Sequence, residues 1–479
     1  MVTALARSAR RVEVASDRPL DARLRLLLAS GGDDRIWPDP VSRRNRYGAP
    51  AAPAPDELWF SSSTACAISP RGWAAAGDAL ARLIAPGPST IVAHFDGLRR
   101  RLLALYGAPG AEAVLSASGT EAELVTLTLA LELAASPVVN VVVAPAETGS
   151  GVPAAASGLH FLGHAPLGGA VIARRRLAGW EDADLSLRTI EIRRPCGALR
   201  PAAEVDQETA ERVDAAAAAG AFVVLHVLDA SKTGRAGVSR AAARRIAARH
   251  GGRVLVVVDA CQLRAAPDAL RQDLLDGFAV MLTGSKFAGG PAFCGALLLP
   301  AGLVDALARA RPAAWPLAPY SAALDWPKAL RWPFAAGLRH PANLGLGLRW
   351  TAALAEIEAY EAIPADIRAG VIADFDRDVR GRVAADPGLA LLDDTAAAPG
   401  LIPIVHAGGA DPRPVYQALA RGEGGARPCH LGQPVSVGAR TALRVCASMP
   451  MIAAAADAGF AALQSDLDEA FDAWARLRA

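Results

Sequence analysis

Residues 222–258 read FVVLHVLDASKTGRAGVSRAAARRIAARHGGRVLVVV, and their texture decides the fold. Residues 222–228 are a short, almost unbroken apolar run, the pattern of a strand covered on both faces. Residues 239–250 read as a helix, and 253–258 are a second apolar strand. Strands that are continuous apolar runs, separated by helices, indicate a mostly parallel sheet inside an α/β layer structure. Working outward, 72–85 and 121–135 read as helices, 138–144 and 187–192 as strands, and 204–219 as a helix. Further strands are expected at 278–282 and 296–299.

Towards the ends of the chain the texture changes. Residues 1–60 are rich in Pro, Arg and Asp and are expected to form an arm with little core of its own. After a Pro- and Trp-rich stretch at 311–333, long helical patterns at 344–362 and 365–384 precede shorter strands near 401–405 and 442–447. A last helix is expected over 452–477. The division expected is an arm over 1–60, a large α/β domain over 61–335 and a smaller α+β domain over 336–479, with no internal repeat.

Composition removes several classes of function. With 479 residues and 52% hydrophobic side chains the chain can bury a large core and is not a disordered one. Fifty basic against 48 acidic residues leave a net charge of +2, which gives no general affinity for nucleic acid. Six scattered cysteines include no C-x-x-C pair, and no histidine cluster has ligand spacing, so neither a disulfide framework nor a metal site is expected. The opening MVTALARSARR lacks the apolar core of a signal peptide. The apolar stretch 124–146 is interrupted by Glu132, Pro137 and Asn140, and reads as a helix running into a strand rather than a membrane span. A cytoplasmic protein is expected. Only three of the basic residues are lysine: Lys232, Lys286 and Lys328. Arginine can replace lysine wherever a positive charge suffices, but not where an amine must lose its proton and attack carbon. Each remaining lysine is therefore informative.

Ligands of open α/β sheets bind beyond the carboxyl ends of the strands, and four polar groups fall at such ends or at helix starts. Ser116-Ala117-Ser118-Gly119-Thr120-Glu121 is a small-residue turn opening a helix, where free N–H groups and the helix dipole favour a phosphate. An ordinary helix cap explains the same residues. Asp259-Ala260-Cys261-Gln262 follows a buried strand, and a carboxylate there needs a cationic partner or caps the next helix. Thr283-Gly284-Ser285-Lys286-Phe287-Ala288-Gly289-Gly290-Pro291 places a lysine at a strand end in a glycine turn, which suits Schiff-base chemistry or an exposed turn. Arg444 lies within the apolar stretch 442–447, matched either to a bidentate carboxylate or to an acid at a domain interface.

Taken in order, these motifs resemble fold-type I pyridoxal-phosphate (PLP) enzymes, with the texture of the class V aminotransferase and cysteine desulfurase group, over about residues 58–448. The resemblance implies a large domain with a mostly parallel seven-stranded sheet, a smaller C-terminal α+β domain, PLP as cofactor and an amino acid as substrate. It also implies a homodimer with shared active sites, without nucleic-acid or membrane partners. It makes Lys286 the Schiff-base lysine and Asp259 the partner of the pyridinium nitrogen, with Gln262 at the ring hydroxyl. Ser118, Gly119 and Thr120, with Thr283 and Ser285, would hold the phosphate. Arg444 would bind the substrate carboxylate, and Ser63 lies where the family's N-terminal substrate loop begins. Residues 331–343, ending in Asn343, resemble the loop that such dimers lend to the neighbouring site. Thr148 stands where the family stacks a ring on the cofactor, and Asp229 where it often has Asn.

The reaction expected is transamination through a carbanion at Cα. A lyase using the same intermediate for elimination, decarboxylation or carbon–carbon bond formation is the alternative. Desulfurases need a mobile-loop cysteine, but alignment puts Leu431 at that position, and Cys429 reads as a loop residue. No Gly-x-Gly-x-x-Gly turn supports a dinucleotide enzyme, and no basic appendage supports a DNA-binding sensor.

Overall fold

The structure is a computed structural model that describes residues 19–84, 88–135, 137–309, 315–393 and 398–478. The basic opening of the arm, Ala85 at the end of the first expected helix, and the start of the Pro/Trp-rich stretch lie outside the described residues.

Seven strands form the larger sheet, in the order Glu112–Ser116, Gly295–Leu299, Ala279–Thr283, Val254–Ala260, Phe222–Leu228, Val138–Val143, Leu185–Ile190. Only Gly295–Leu299 runs antiparallel to its neighbours. This is the mostly parallel seven-stranded α/β sheet expected. Period-two alternation splits each strand between two cores. Val139, Val141, Val223, Leu225, Val256 and Val258 pack with Val205, Val213 and Ile246 on one face. Val138, Val224, Leu255, Val257 and Met281 pack with Leu124, Leu127 and Leu129 of the helix Gly119–Leu133 on the other. Both faces are covered, so the central strands carry little polar alternation and read as almost continuous apolar runs, whereas the edge strand Leu185–Ile190 alternates.

The smaller sheet has the order Leu58–Phe60, Cys429–Val437, Arg440–Cys446, Leu401–His406, Leu389–Leu391. Its first strand comes from the end of the expected arm and pairs parallel with Cys429–Val437, Leu58 opposite Cys429. The single last helix expected is two, Met449–Ala458 and Ala461–Arg478. Gly459 separates them at φ 90°, a left-handed conformation that glycine adopts without steric cost.

Residues 19–60 have more structure than an arm without a core. The helix Leu20–Leu28 buries Leu24 and Leu28 against the main core. Beyond it the chain is latched to the helix Leu344–Glu361. Arg349, fully buried, donates to the carbonyls of Phe293 at 2.7 Å, Leu28 at 3.1 Å, Ser30 at 2.5 Å and Gly31 at 3.0 Å. Burial pulls its guanidinium down to about 10. Four carbonyl oxygens in place of a carboxylate keep a buried cation hydrogen-bonded, and so offset part of its desolvation. This latch holds residues 30–47 over the carboxyl ends of the large sheet.

Candidate active site

Those carboxyl ends open into a cavity of about 380 Å³, within the size range of small-molecule sites. Its wall contains Ser63, Ser118, Gly119, Thr120, Thr148, Asp259, Gln262, Thr283, Ser285, Lys286 and Arg444. The structure thus gathers eleven of the residues singled out in the sequence, from positions up to several hundred apart.

Each is placed by its strand. After Glu112–Ser116, Ser118 caps the helix Gly119–Leu133: its Oγ accepts from Thr120 N–H at 3.1 Å and donates to the Glu121 carboxylate. Gly119 leaves this turn without a side chain, because a Cβ there would meet Cys261 Sγ at 2.6 Å. After Val138–Val143, Ala144 turns left-handed at φ 53° and sends Thr148 to the cavity wall, where its hydroxyl donates to Pro145 O at 3.0 Å. Thr148 brings no ring; the aromatic side chains at the wall are Tyr47, His226 and Phe293.

At the end of Val254–Ala260, Asp259 Oδ1 accepts from Cys261 N–H at 3.0 Å. Gln262 Nε2 donates to Ser63 O at 3.2 Å, while its buried Oε1 has no partner among the described residues. The Thr283 hydroxyl donates to Cys261 O at 2.7 Å. Behind Lys286 the turn is closed by Gly289 N–H to Lys286 O at 2.8 Å and Gly290 N–H to Gly284 O at 2.9 Å. Arg444, 1% exposed, donates to Thr64 Oγ1 at 3.0 Å, to Lys232 O at 3.3 Å and to Gln433 O. Its Nε has no partner among the described residues, and burial draws the guanidinium down to about 10. Arginine carries five N–H donors, so part of its capacity remains for a ligand.

Two expected residues lie elsewhere. Asp229 does not line the cavity. Its carboxylate pairs with Arg240 at 2.9 Å, because Asp229 shares strand parity with Val223, Leu225 and Val227 and faces the opposite core. Asn343 is 2% exposed and caps the helix Leu344–Glu361: its Oδ1 accepts from Leu346 N–H at 3.1 Å and its Nδ2 donates to Gly31 O at 2.8 Å. Both polar ends of Asn343 are thus occupied inside its own chain.

Other wall residues were not anticipated. Arg35, Arg46 and Tyr47 reach the cavity from the segment latched by Arg349. Arg35 is held by Asp33 at 2.9 and 2.6 Å and lies over the Phe293 ring at 5.3 Å. Beneath the site His226 meets Glu123 at 3.2 Å, and Asn140 Nδ2 donates to Glu123 at 2.6 Å. Burial opposes the charged imidazole, but Glu123, helped by Asp259, outweighs it and raises the His226 pKa. No local sequence pattern joins Glu123, Asn140 and His226; only the strand alternation that points Asn140 and His226 to the face covered by the helix carrying Glu123 could have found them.

No protein-family model and no curated protein matches the sequence. Solved structures do resemble the fold. A cysteine desulfurase from Escherichia coli superposes with a TM-score of 0.55 at 13% identity, covering 88% of this chain and 94% of the other. A cystine C–S lyase in complex with its reaction product cysteine persulfide gives 0.56 at 16%, covering 88% and 96%. A phosphoserine aminotransferase from Cytophaga hutchinsonii gives 0.51 at 12%, covering 87% and 99%. The chain therefore has the fold of these class V enzymes, fold type I, over nearly their whole length.

Proposed function

We propose that the chain is a PLP-dependent enzyme acting on an amino acid, with transamination as its reaction. One observation carries this: the Lys286 amine, the Asp259 carboxylate and the open start of the helix Gly119–Leu133 converge on one cavity at the ends of parallel strands. PLP itself would supply an electron sink for a bond broken at the substrate Cα.

The residues present fit that group. Gly119, the Thr120 side chain and Ser285 would receive its phosphate at a helix N-terminus, whereas the Ser118 hydroxyl already donates to Glu121 and shapes the turn. The Thr283 hydroxyl, already donating to Cys261, shapes the turn rather than giving a proton to the phosphate. Asp259 would hold the proton of the ring nitrogen. The orphaned Gln262 Oε1 needs a donor, and a ring hydroxyl is one. Lys286 would hold the cofactor covalently and, once displaced by the substrate amine, carry the proton to and from Cα. Arg444 would orient the substrate α-carboxylate through its unpartnered Nε–H, with Ser63 beside it.

Sulfur transfer has less support. Cys429 is fully buried in a strand opposite Leu58, and its thiol is pushed up to about 12. Cys261, the one cysteine at the wall among the described residues, is buried and also raised well above its ordinary value. A thiol that accepts sulfur must ionise.

Borohydride reduction followed by peptide mapping should find the cofactor on Lys286, and Lys286→Ala should abolish the trapping. Cofactor fixed elsewhere, or none, overturns the assignment. Incubation with amino acids should convert bound PLP to pyridoxamine phosphate with release of the 2-oxo acid. Pyruvate with ammonia, sulfide or carbon dioxide formed without pyridoxamine phosphate would replace the aminotransferase by a lyase.

A further inference from the structure

The cavity holds more positive charge than the reaction proposed above requires. Its wall carries Arg35, Arg46, Lys232, Lys286 and Arg444 against Glu123, Glu147 and Asp259. Three of these eight are already matched. Arg35 is paired with Asp33, and Glu123 with His226. Glu147 accepts from Arg193 at 2.5 Å, from Ser231 at 2.8 Å and from Thr233. If Lys286 and Asp259 serve the cofactor and Arg444 the α-carboxylate, Lys232 and Arg46 are left over.

Lys232 is held in the site by design of its loop. Its N–H donates to Glu147 O at 2.8 Å, its carbonyl accepts from Arg444 at 3.3 Å, and the flanking Ser231 and Thr233 hydroxyls both anchor on the Glu147 carboxylate. The backbone is thus fixed on both sides while the side chain extends into the cavity. Its amine makes no hydrogen bond or ion pair within the described residues. The charged groups around it are Arg444, Lys286 and Glu147; burial first, then the two cations, bring it down to about 8. Its carbonyl is held by Arg444, the residue that would take the α-carboxylate, which sets Lys232 on the substrate side. A mostly buried ammonium beside two cations is costly unless an anion arrives to pair with it.

We infer that the substrate is an amino acid whose side chain ends in a second anionic group, received by Lys232 inside the cavity with Arg46 at its mouth. This rests on the assignment of Lys286 and Arg444 above and narrows the substrate to the acidic class: a carboxylate, sulfinate, sulfonate or phosphate at the distal end. One contact between a fixed ammonium and an anion, made away from bulk water, is a charge-assisted hydrogen bond.

Holoprotein titrated by calorimetry with glutarate and, separately, with valerate tests the inference without chemistry, because neither ligand has an amine. The diacid should bind at least ~10-fold tighter than the monoacid. Lys232→Met should remove that preference, and Lys232→Arg, which keeps the charge, should retain part of it; thermal melts check that both variants fold. In turnover, the ratio of kcat/KM for L-glutamate over L-norvaline should fall by the same factor in Lys232→Met. Equal binding of the two acids by the wild type overturns the inference. So does an equal loss of both in Lys232→Met, or a loss that falls on PLP affinity instead. Failure of the parent reading looks different: no cofactor on Lys286 after borohydride, whatever the diacid preference.

Discussion

The contact between Gly295 and the Ser118 turn gives a sharp test of where the phosphate binds. A Cβ on Gly295 would lie 2.7 Å from the Ser118 carbonyl carbon, 2.9 Å from its oxygen and 2.9 Å from Ser116 Oγ. Non-bonded carbon atoms prefer about 3.5–4.0 Å, so Gly295→Ala needs roughly 1 Å of movement. The strand cannot supply it, because Gly295 pairs with Ser116 on one side and Thr283 on the other, and its carbonyl accepts from Trp350 Nε1 at 2.9 Å. The turn must yield. Ser118 O accepts from Ala122 N–H at 3.0 Å, the first bond of the helix, and from Ser116 Oγ at 3.0 Å. Displacing it therefore re-aims the N–H groups of Gly119 and Thr120. Overpacking of this kind costs about 1–3 kcal/mol of stability. Loss of one hydrogen bond to a charged group, about 1.5–3 kcal/mol, should weaken PLP binding by roughly 10- to 150-fold. The assay is titration of the apoprotein with PLP, followed by absorbance, beside thermal melts. Gly302→Ala is the control: a Cβ there meets nothing within 4 Å, and alanine suits its helix, Ala301–Leu307. A Gly295→Ala protein that melts lower but binds PLP as the wild type does would show that the phosphate goes elsewhere.

Two further outcomes follow from the buried carboxyl groups. Asp259→Asn should sharply lower turnover and weaken PLP binding, while Asp229→Asn should leave the PLP dissociation constant unchanged and reduce stability by about 1.5–3 kcal/mol through loss of the charged hydrogen bond to Arg240; equal effects of the two on PLP would overturn their separation. Burial, reinforced by the Asp33 carboxylate, pushes Glu121 up to about 7 from its ordinary 4.5. The folded chain holds that proton more tightly than the unfolded chain, so stability should fall as pH rises from about 4.5 to 7 and level off above. Glu121→Gln should shrink the fall by up to about 3 kcal/mol in urea midpoints taken across that range, with Asp325, also raised to about 7, keeping a residual slope. An unchanged pH profile in the variant would contradict the burial argument.

What could be read in advance, and what could not, divides along physical lines. The convergence of Lys286 and Asp259 on one cavity was legible because it is local: a polar group at the end of a run that must be a buried strand has few places to point. Asp229 offers the same local picture, one residue past the strand Phe222–Leu228, yet it faces away. The difference is parity. Asp259 follows Leu255 and Val257 on the face covered by the helix Gly119–Leu133, whereas Asp229 follows Leu225 and Val227 on the other. That alternation is in the sequence, but which face carries the helix start is a property of the assembled sheet. Asn343 differs for another reason: its segment resembles a loop lent to a neighbour, while within this chain its side chain is taken up by a helix cap and Gly31. Arg35, Arg46 and Tyr47 were out of reach because the latch that brings them in runs through Arg349, some three hundred residues along the chain. Lys232 falls between these cases. Its rarity marked it as a lysine that arginine had not replaced, in a loop after the strand Phe222–Leu228. Only the anchoring of Ser231 and Thr233 on Glu147 turns that amine inward. An inward lysine that arginine has not replaced, beside Arg444 and with no carboxylate paired to its amine among the described residues, is best explained by an anion that the chain does not contain.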